Sequence, residues 1–368
     1  MNPGSPLELG AEPGVHLSAK RDAGAPVARV AVLGASGYSG QEFVRLSLAH
    51  PGLRLTALAS REHAGRPAGE FLAGVDARAA ELPEVVEPAA LASLLEDGVF
   101  DTLVACLPHG AWRELARLHP RLASEPRRVL DVSSDHRDGS ASPPGSAPYR
   151  YGLPEAFRDS LRGASRIANP GCYPTAALLA LLPAAEARWL AGPAMVSALS
   201  GVSGAGRAAS LRTSFVELDG NASLYKVGTE HSHVGEMERV LRQFAGGVIP
   251  VGFAPQLAPM ARGILLTAWA PLASPVAPEA AHAHYARRFE NEPFVRVLPP
   301  GQWPETRATR SSNRCDVAVT TLHGGKTLLA MSALDNLVKG AAGQAIQNLN
   351  LMLGWPEETA LPRHSIPW

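Results

Sequence analysis

The sequence predicts an α/β protein, with a Rossmann-like doubly wound nucleotide domain and an inserted α+β substrate domain. Three observations predict it. Strand-like apolar runs alternate with helical patterns in the first half, a glycine-rich turn follows the first of those runs, and the second half carries strand runs without that regular alternation. The length of 368 residues exceeds what one ordinary core fills and suits two domains.

Residues 1–26 are rich in Gly, Pro and Ala without periodicity and read as a disordered extension. Residues 27–33 are apolar and β-branched, a first strand, and after the glycine turn residues 41–50 read helical until Pro51-Gly52 stops them. Residues 53–60, 102–107 and 128–132 are further strands, apolar on both faces as in a parallel sheet covered on two sides. The stretch 137–166 is rich in Pro, Gly and Ser, then Asn169-Pro170-Gly171-Cys172-Tyr173-Pro174-Thr175 opens a long Ala/Leu helix, and the domain boundary belongs here. Later strands are expected at 194–200, 248–251, 263–270, 316–321 and 327–334, in a mixed or antiparallel sheet. Residues 339–353 place Ala342, Ile346, Leu349 and Leu353 at helical spacing, which predicts an amphipathic helix returning to the first domain. The expected division is therefore 27–171 with 336–368 as the nucleotide-binding domain and 172–335 as the catalytic and dimerisation domain.

Lys+Arg and Asp+Glu both number 34, so a charge-driven nucleic-acid or membrane partner is not expected, and a small soluble substrate is. No apolar run approaches the roughly 20 residues needed to span a bilayer. Three cysteines without C-x-x-C spacing fit a reducing compartment, here the cytoplasm.

Gly34-Ala35-Ser36-Gly37-Tyr38-Ser39-Gly40 directly follows a strand and opens a helix, the setting of a dinucleotide phosphate turn. Gly34 serves the tight turn, Gly37 the close approach of backbone to pyrophosphate, and Gly40 the packing of helix on sheet. The helix N-terminus adds free N–H groups for the anion. The second strand ends Ala59-Ser60-Arg61, a hydroxyl and a guanidinium suited to a 2′-phosphate, so NADP(H) is the expected cofactor, although Glu62 follows at once.

Cys172 stands just before a helix whose dipole favours a thiolate, and Pro174 fits the first turn. Cys106 lies in the apolar run LVACL and reads as a small core residue; Cys315 has no activating neighbour in sequence. His231-Ser232-His233, with Glu236 nearby, supplies a proton shuttle for the thiol. No Cys/His set of ligand spacing accompanies the His-x-His pair, so no metal is expected. His282 and His284 read as surface or packing residues.

The ordered motifs resemble the N-acetyl-γ-glutamyl-phosphate reductase family, whose fold is related to aspartate-semialdehyde dehydrogenase. They are the glycine turn, Leu107-Pro108-His109-Gly110, DVSSDHR at 131–137, the cysteine segment, Gly201-Val202-Ser203-Gly204-Ala205-Gly206-Arg207, Tyr225-Lys226-Val227 with the histidine pair, and DNLVKGAA at 335–342. The resemblance covers 27–355 and implies NADPH-dependent reduction of N-acetyl-glutamyl 5-phosphate to the semialdehyde through a cysteine thioester, a step of arginine biosynthesis. It implies a homodimer or homotetramer. It implies Cys172 as nucleophile, His231 as acid/base, and Tyr225 and His233 lining the same pocket. Ser203, Gly204 and Arg207 are implied substrate or nicotinamide contacts. Asn336 is implied at the nicotinamide end, and Pro108 with Gly34, Ser36, Gly37, Tyr38, Ser39, Gly40, Ser60 and Arg61 in the cofactor site.

Two departures from the family pattern stand out. His-Arg-His-x-Pro-Glu is here His231-Ser232-His233-Val234-Gly235-Glu236, and Gln256 replaces a histidine. The alternatives are an aminoadipyl-phosphate reductase of lysine biosynthesis, one methylene longer in substrate, an aspartate-semialdehyde dehydrogenase, and a non-catalytic NADP-binding scaffold. A methylene discriminates by only about 1–3 kcal/mol, so inspection does not separate the first from the main reading.

Overall fold

Alternation of short apolar strands with helical crossovers produces the first layer of the computed structural model, which describes residues 27–366 apart from 73, 77–80, 140, 141 and 209. The expected extension 1–26 lies outside the described residues. The strands are β1 (Ala28–Leu33), β2 (Leu53–Ala59), β3 (Val85–Val86), β4 (Thr102–Ala105), β5 (Arg128–Asp131), β6 (Arg150–Tyr151) and β7 (Arg166–Ala168). They lie in the order β3-β2-β1-β4-β5-β7-β6, with every pair parallel. The chain reverses direction across the sheet between β1 and β4, the switch point where doubly wound sheets bind nucleotides. Both neighbours of β1 are hydrogen-bonded, and Val30 to Leu33 are fully buried, which is why this run reads apolar throughout rather than alternating.

A second sheet takes over after the cysteine segment. Its strands are β8 (Ala194–Ser200), β9 (Ser223–Leu224), β10 (Val251–Leu257), β11 (Ile264–Pro271), β12 (Val295–Val297), β13 (Cys315–Leu322) and β14 (Thr327–Leu334). Their order is β12-β13-β14-β11-β8-β10-β9, mixed in direction as expected. Residues alternate buried and accessible along β8, β10 and β11, the signature of a sheet packed on one side. The packed side carries helices Cys172–Glu186, His233–Ala245 and Pro278–Phe289. The open side shows Met195 and Trp269.

Two expectations are corrected. The strand placed at 248–251 runs instead over Val251–Leu257 and includes Pro255. A proline inside a run argues against a strand because it removes a ladder donor. Here β10 tolerates it, and its carbonyl accepts the Tyr225 N–H at 3.2 Å. The C-terminal helix is also not amphipathic. A π-helical turn over Val338–Ala342 leads into an α-helix at Gly343–Leu353, every residue of which is buried. It does return to the first sheet, packing on helix Tyr38–Ser47 and on β5. Its amide N–H groups bond inside the protein, while Gln344 Oε1 and Asn348 Oδ1 are buried without a partner among the described residues. Asn348 donates to the Gly152 carbonyl at 2.8 Å and to Asn169 Oδ1 at 2.9 Å, and Gln344 donates to the same Gly152 carbonyl at 3.1 Å.

Candidate active site

The glycine turn is built as its spacing requires. Gly34 has φ +83°, and a Cβ there would lie 2.4 Å from the Cys106 carbonyl oxygen on β4's extension. Gly40 is closed by backbone too, since a Cβ would meet the Gly34 carbonyl oxygen at 2.2 Å. Gly37 is the N-cap of helix Tyr38–Ser47, with Tyr38 and Ser39 in its first turn. Only glycine lets strand, turn and helix approach this closely, and the result is a helix N-terminus set directly after the turn. Ser36 Oγ lies 2.8 Å from Ser60 Oγ, so the turn and the end of β2 form one polar edge, with exposed Arg61 beside it. Pro108, exposed past the end of β4, borders the same turn. Cys106 is only half-buried, yet burial of its thiol pushes it up to about 12. These residues fit a dinucleotide: the turn packs so closely on backbone that positions 34 and 40 admit only glycine, and the N-terminus of helix Tyr38–Ser47 follows it directly.

Cys172 is the first residue of helix Cys172–Glu186, with Gly171 as N-cap. Thr175 closes the first turn onto the Gly171 carbonyl through both its N–H and its hydroxyl, each at 2.9 Å. The thiol keeps some accessible surface, but the protein packed around it pushes it up to about 11. Burial is the largest cause, and Glu236 adds to it. The Arg137 guanidinium and the N–H groups of Tyr173 and Cys172 act the other way. The helix mouth expected from sequence is present, but burial outweighs it, so the resting group is a neutral thiol.

Both histidines converge on this turn. A Cβ on Gly171 would lie 2.5 Å from His233 Nε2 and 2.9 Å from Arg137 Nη1, so the His233 ring sits against the residue preceding the cysteine. The His231 ring is 4.5 Å from the His233 ring, 5.8 Å from Tyr225 and 5.8 Å from Tyr173. The His233 backbone N–H donates to His231 Nδ1 at 3.2 Å, which requires that nitrogen to be unprotonated and puts the ring proton on Nε2. Burial, then Lys226, lowers His231 to about 4; burial, Arg137 and His231 hold His233 well below the ordinary range. Both rings are therefore neutral near pH 7. Tyr225 donates its hydroxyl to that of Tyr173 at 3.0 Å, and burial pushes Tyr225 up to about 12. Lines of sequence separated by more than 50 residues thus meet in one aromatic pocket floored by Phe253.

A third group closes the pocket. Asn336 donates to Ser203 Oγ at 2.9 Å and accepts the Gly263 N–H at 2.7 Å. Gly204 lies against Asn336, 3.7 Å from Nδ2 to a built Cβ. Arg207, at the end of this loop, donates to the Ser36 carbonyl at 2.9 Å and ties the second domain to the glycine turn. Four residues past Asn336, Gly340 packs on Cys172, since a Cβ there would be 2.7 Å from Cys172 Cβ.

Several residues at the cysteine were not singled out as site residues from sequence. Arg137 is buried, donating to the carbonyls of Asn169 at 2.6 Å and Val132 at 2.7 Å, with Nη1 left at the Gly171 turn. It places a positive charge next to the pocket. The motif containing Arg137 was visible, but its partner lay 35 positions away. Gln256, by contrast, donates to Ser197 Oγ at 2.9 Å and offers the pocket only its carbonyl, 3.5 Å from the Tyr173 hydroxyl. His282 and His284 bond the carbonyls of Leu298 and Pro183, each at 3.0 Å, and pack as read. Cys315 is buried at the start of β13.

Family models match both halves of the chain: "Semialdehyde dehydrogenase, NAD binding domain" over residues 29–164 and "Semialdehyde dehydrogenase, dimerisation domain" over 172–336. N-acetyl-gamma-glutamyl-phosphate reductase from Thermus thermophilus is 43% identical over 357 residues, covering 91% of this chain and 99% of that protein. The chain belongs to the N-acetyl-gamma-glutamyl-phosphate reductase family. The reductase of the same name from Geobacter sulfurreducens is 39% identical, covering 90% and 97%. Among solved structures, aspartate semialdehyde dehydrogenase with NADP from Candida albicans superimposes with a TM-score of 0.67 at 17% identity, covering 89% of this chain and 98% of that one. The Vibrio cholerae aspartate semialdehyde dehydrogenase II complexed with ASA gives 0.66 at 17%, with the same coverage. These similarities establish a shared fold, while the specific family comes from the reductase relatives.

Proposed function

We propose that the chain reduces N-acetyl-L-glutamyl 5-phosphate to N-acetyl-L-glutamate 5-semialdehyde and phosphate, using NADPH and a thioester on Cys172, as a cytoplasmic step of arginine biosynthesis. The single observation that carries the chemistry is the convergence of Cys172, His231 and His233 at one helix mouth, with the Ser203–Asn336 loop tied to the glycine turn by Arg207. The activity named for the reductase relatives carries the substrate.

His233, against the Gly171 turn and neutral, is the better-placed acceptor of the thiol proton; Arg137 stabilises the thiolate as it forms. The sulfur then attacks the acyl carbonyl, a C–S bond forms, and the C–O bond to phosphate breaks with its electron pair leaving on phosphate. His231, with its proton on Nε2, donates a hydrogen bond to the carbonyl oxygen together with the helix N–H groups. Gly34, Ser36, Gly37, Ser60 and Arg61 would hold the dinucleotide, which when bound would supply hydride to the thioester. Protonated His233 returns its proton as the C–S bond of the hemithioacetal breaks, releasing aldehyde and restoring the thiol.

Selection of NADPH over NADH rests on Ser60 and Arg61 at the polar edge of the turn. A homodimer or homotetramer through the open face of the second sheet, where Met195 and Trp269 are exposed, accords with the dimerisation-domain match. The test is direct. Semialdehydes of N-acetylglutamate, N-acetylaminoadipate and aspartate are oxidised in the reverse direction with phosphate and either NADP or NAD, and dinucleotide absorbance is followed. The N-acetylglutamate compound with NADP should turn over fastest. Cys172→Ser should abolish turnover with dinucleotide affinity nearly unchanged, and retained turnover in that variant would remove the thioester from the mechanism.

A further inference from the structure

Beneath the nucleophile lies a buried carboxylate that the mechanism above does not use. Glu236 Oε1 accepts two hydrogen bonds, from the Gly171 N–H at 2.9 Å and from the Tyr151 hydroxyl at 2.7 Å. Its Oε2 is 3.7 Å from Arg137 Nη1. Glu236 and His233 project from the same face of helix His233–Ala245, three residues apart, and both reach Gly171. Tyr151 comes from β6, the edge strand of the first sheet, and is held from two sides. The Arg239 guanidinium lies over its ring at 5.0 Å, and Phe157 meets it edge-on at 6.0 Å.

We propose that Tyr151 is a positioning residue for Cys172, acting through Glu236: its hydroxyl clamps the carboxylate onto the Gly171 N–H and fixes where that negative charge sits beside the sulfur. The inference rests on the reading of Cys172 as nucleophile. The charged and titratable groups around the sulfur are Arg137 from the 131–137 segment, Glu236 and His233 from the helix, Tyr225, Lys226 and His231 from the loop before it, and Tyr173 on the cysteine's own helix. Glu236 is the carboxylate among these, and it works against thiolate formation, while Arg137 works for it. A hydrogen bond from a hydroxyl spreads the carboxylate charge and pins Oε1 at the Gly171 turn, which holds Oε2 back at 3.7 Å from Arg137 Nη1. Without the hydroxyl, Glu236 keeps one N–H on Oε1 and is free to turn toward Arg137, which draws the helpful cation from the sulfur. Either consequence makes the thiolate harder to form. Burial of Tyr151, together with Glu236, holds its phenol well above the ordinary range, so the donor keeps its proton throughout the working pH range.

The experiment is the pH dependence of iodoacetamide alkylation of the full chain, read as the rate of loss of NADPH-linked turnover. In the unsubstituted protein, alkylation should abolish turnover; failure there would strike the nucleophile assignment and not the clamp. Tyr151→Phe should raise the midpoint by about half a pH unit, roughly threefold slower alkylation below the midpoint. Glu236→Gln should lower it. Combining the two should reproduce Glu236→Gln alone, because the tyrosine acts only through the charge. A midpoint unmoved in Tyr151→Phe, or a shift that persists in the Glu236→Gln background, overturns the proposal. Dinucleotide titration and thermal unfolding identify a variant that fails to fold, and in that case Glu236→Gln decides: no fall in its midpoint overturns the proposal as well.

Discussion

Gly340→Ala adds one methyl group at the point where the C-terminal segment touches the nucleophile. The new Cβ would lie 2.7 Å from Cys172 Cβ, 3.2 Å from its Cα and 3.4 Å from Leu334 Cδ1. Carbon atoms prefer about 3.5–4.0 Å, so the contact must open by roughly 1 Å. Neither side gives easily. Gly340 is hydrogen-bonded through its N–H to the Asp335 carbonyl at 2.9 Å, inside a fully buried π-helical turn. The cysteine starts a helix whose residues Tyr173 to Ala185 are all buried. Overpacking of this kind costs about 1–3 kcal/mol of stability, and a reacting atom displaced by about 1 Å loses on the order of 10²-fold in rate. The expected result is therefore a kcat lower by about two orders of magnitude, measured from dinucleotide absorbance, with a thermal midpoint only a few degrees down. Dinucleotide affinity should hold, because the glycine turn is built from Gly34 and Gly40 and not from this segment. Gly235→Ala is the control: nothing lies within 4 Å of its built Cβ, and it sits inside a helix, where alanine is the better residue. A Gly340→Ala enzyme with kcat within about threefold of the parent would refute the packing argument.

Two further outcomes follow from buried charge. Lys339 and Glu155 are fully buried with Nζ 2.6 Å from Oε1, and Gln347 Oε1 accepts a second bond from Nζ at 2.8 Å. Burial opposes the ionisation of Glu155, but the Lys339 ammonium holds its carboxyl below the ordinary range. Lys339→Met should destabilise by about 3–5 kcal/mol in urea unfolding, and adding Glu155→Gln should recover a large part; no recovery would mean the charge itself is not the cost. The second outcome concerns acid. His231 is lowered to about 4, and His233 and His50 are lowered by burial. As pH falls below about 6.5 the unfolded chain takes up protons that the folded one refuses, so the stability due to neutral imidazoles is complete above that value and is lost toward pH 4. His231 should account for about 1–2 kcal/mol after solvent screening, seen as a shallower fall of thermal midpoint between pH 7 and 4.5 in His231→Gln; an unchanged slope contradicts the sign.

Local features were legible in the sequence. The glycine turn could be read because its geometry is set within seven residues, and Gly34 indeed has φ +83° with backbone packed where a side chain would be. The position of Cys172 at a helix start could be read from Gly171 and Pro174 on either side. Pro255 hid a strand because its defect is tolerated only by pairing that comes from β8 and β9, elsewhere in the chain. The helix Gly343–Leu353 looks two-faced from the spacing of Ala342, Ile346, Leu349 and Leu353, yet Gln344, Gln347, Asn348 and Asn350 between them are each bonded inside the protein. What pattern reading lacks is the identity of the partner across the fold. Arg137, Tyr151, Glu236 and Gly340 come from four separate segments, and only tertiary packing brings them to one sulfur.

That convergence explains how a helix mouth and a high-pH thiol coexist. A thiolate held permanently ionised would be a better leaving group and a weaker nucleophile, and would be exposed to oxidation. The pocket instead keeps sulfur neutral by burial, at about 11, while leaving the means of ionisation in contact: the neutral His233 ring at Gly171, the Arg137 guanidinium, and the N–H groups of Cys172 and Tyr173. In the proposed reaction an arriving acyl phosphate would add negative charge, raising the proton affinity of the adjacent imidazoles as its carbonyl comes within reach of the sulfur. Proton transfer is then coupled to substrate binding. The positive charge at the turn is fixed in place because Arg137 is locked by two backbone carbonyls.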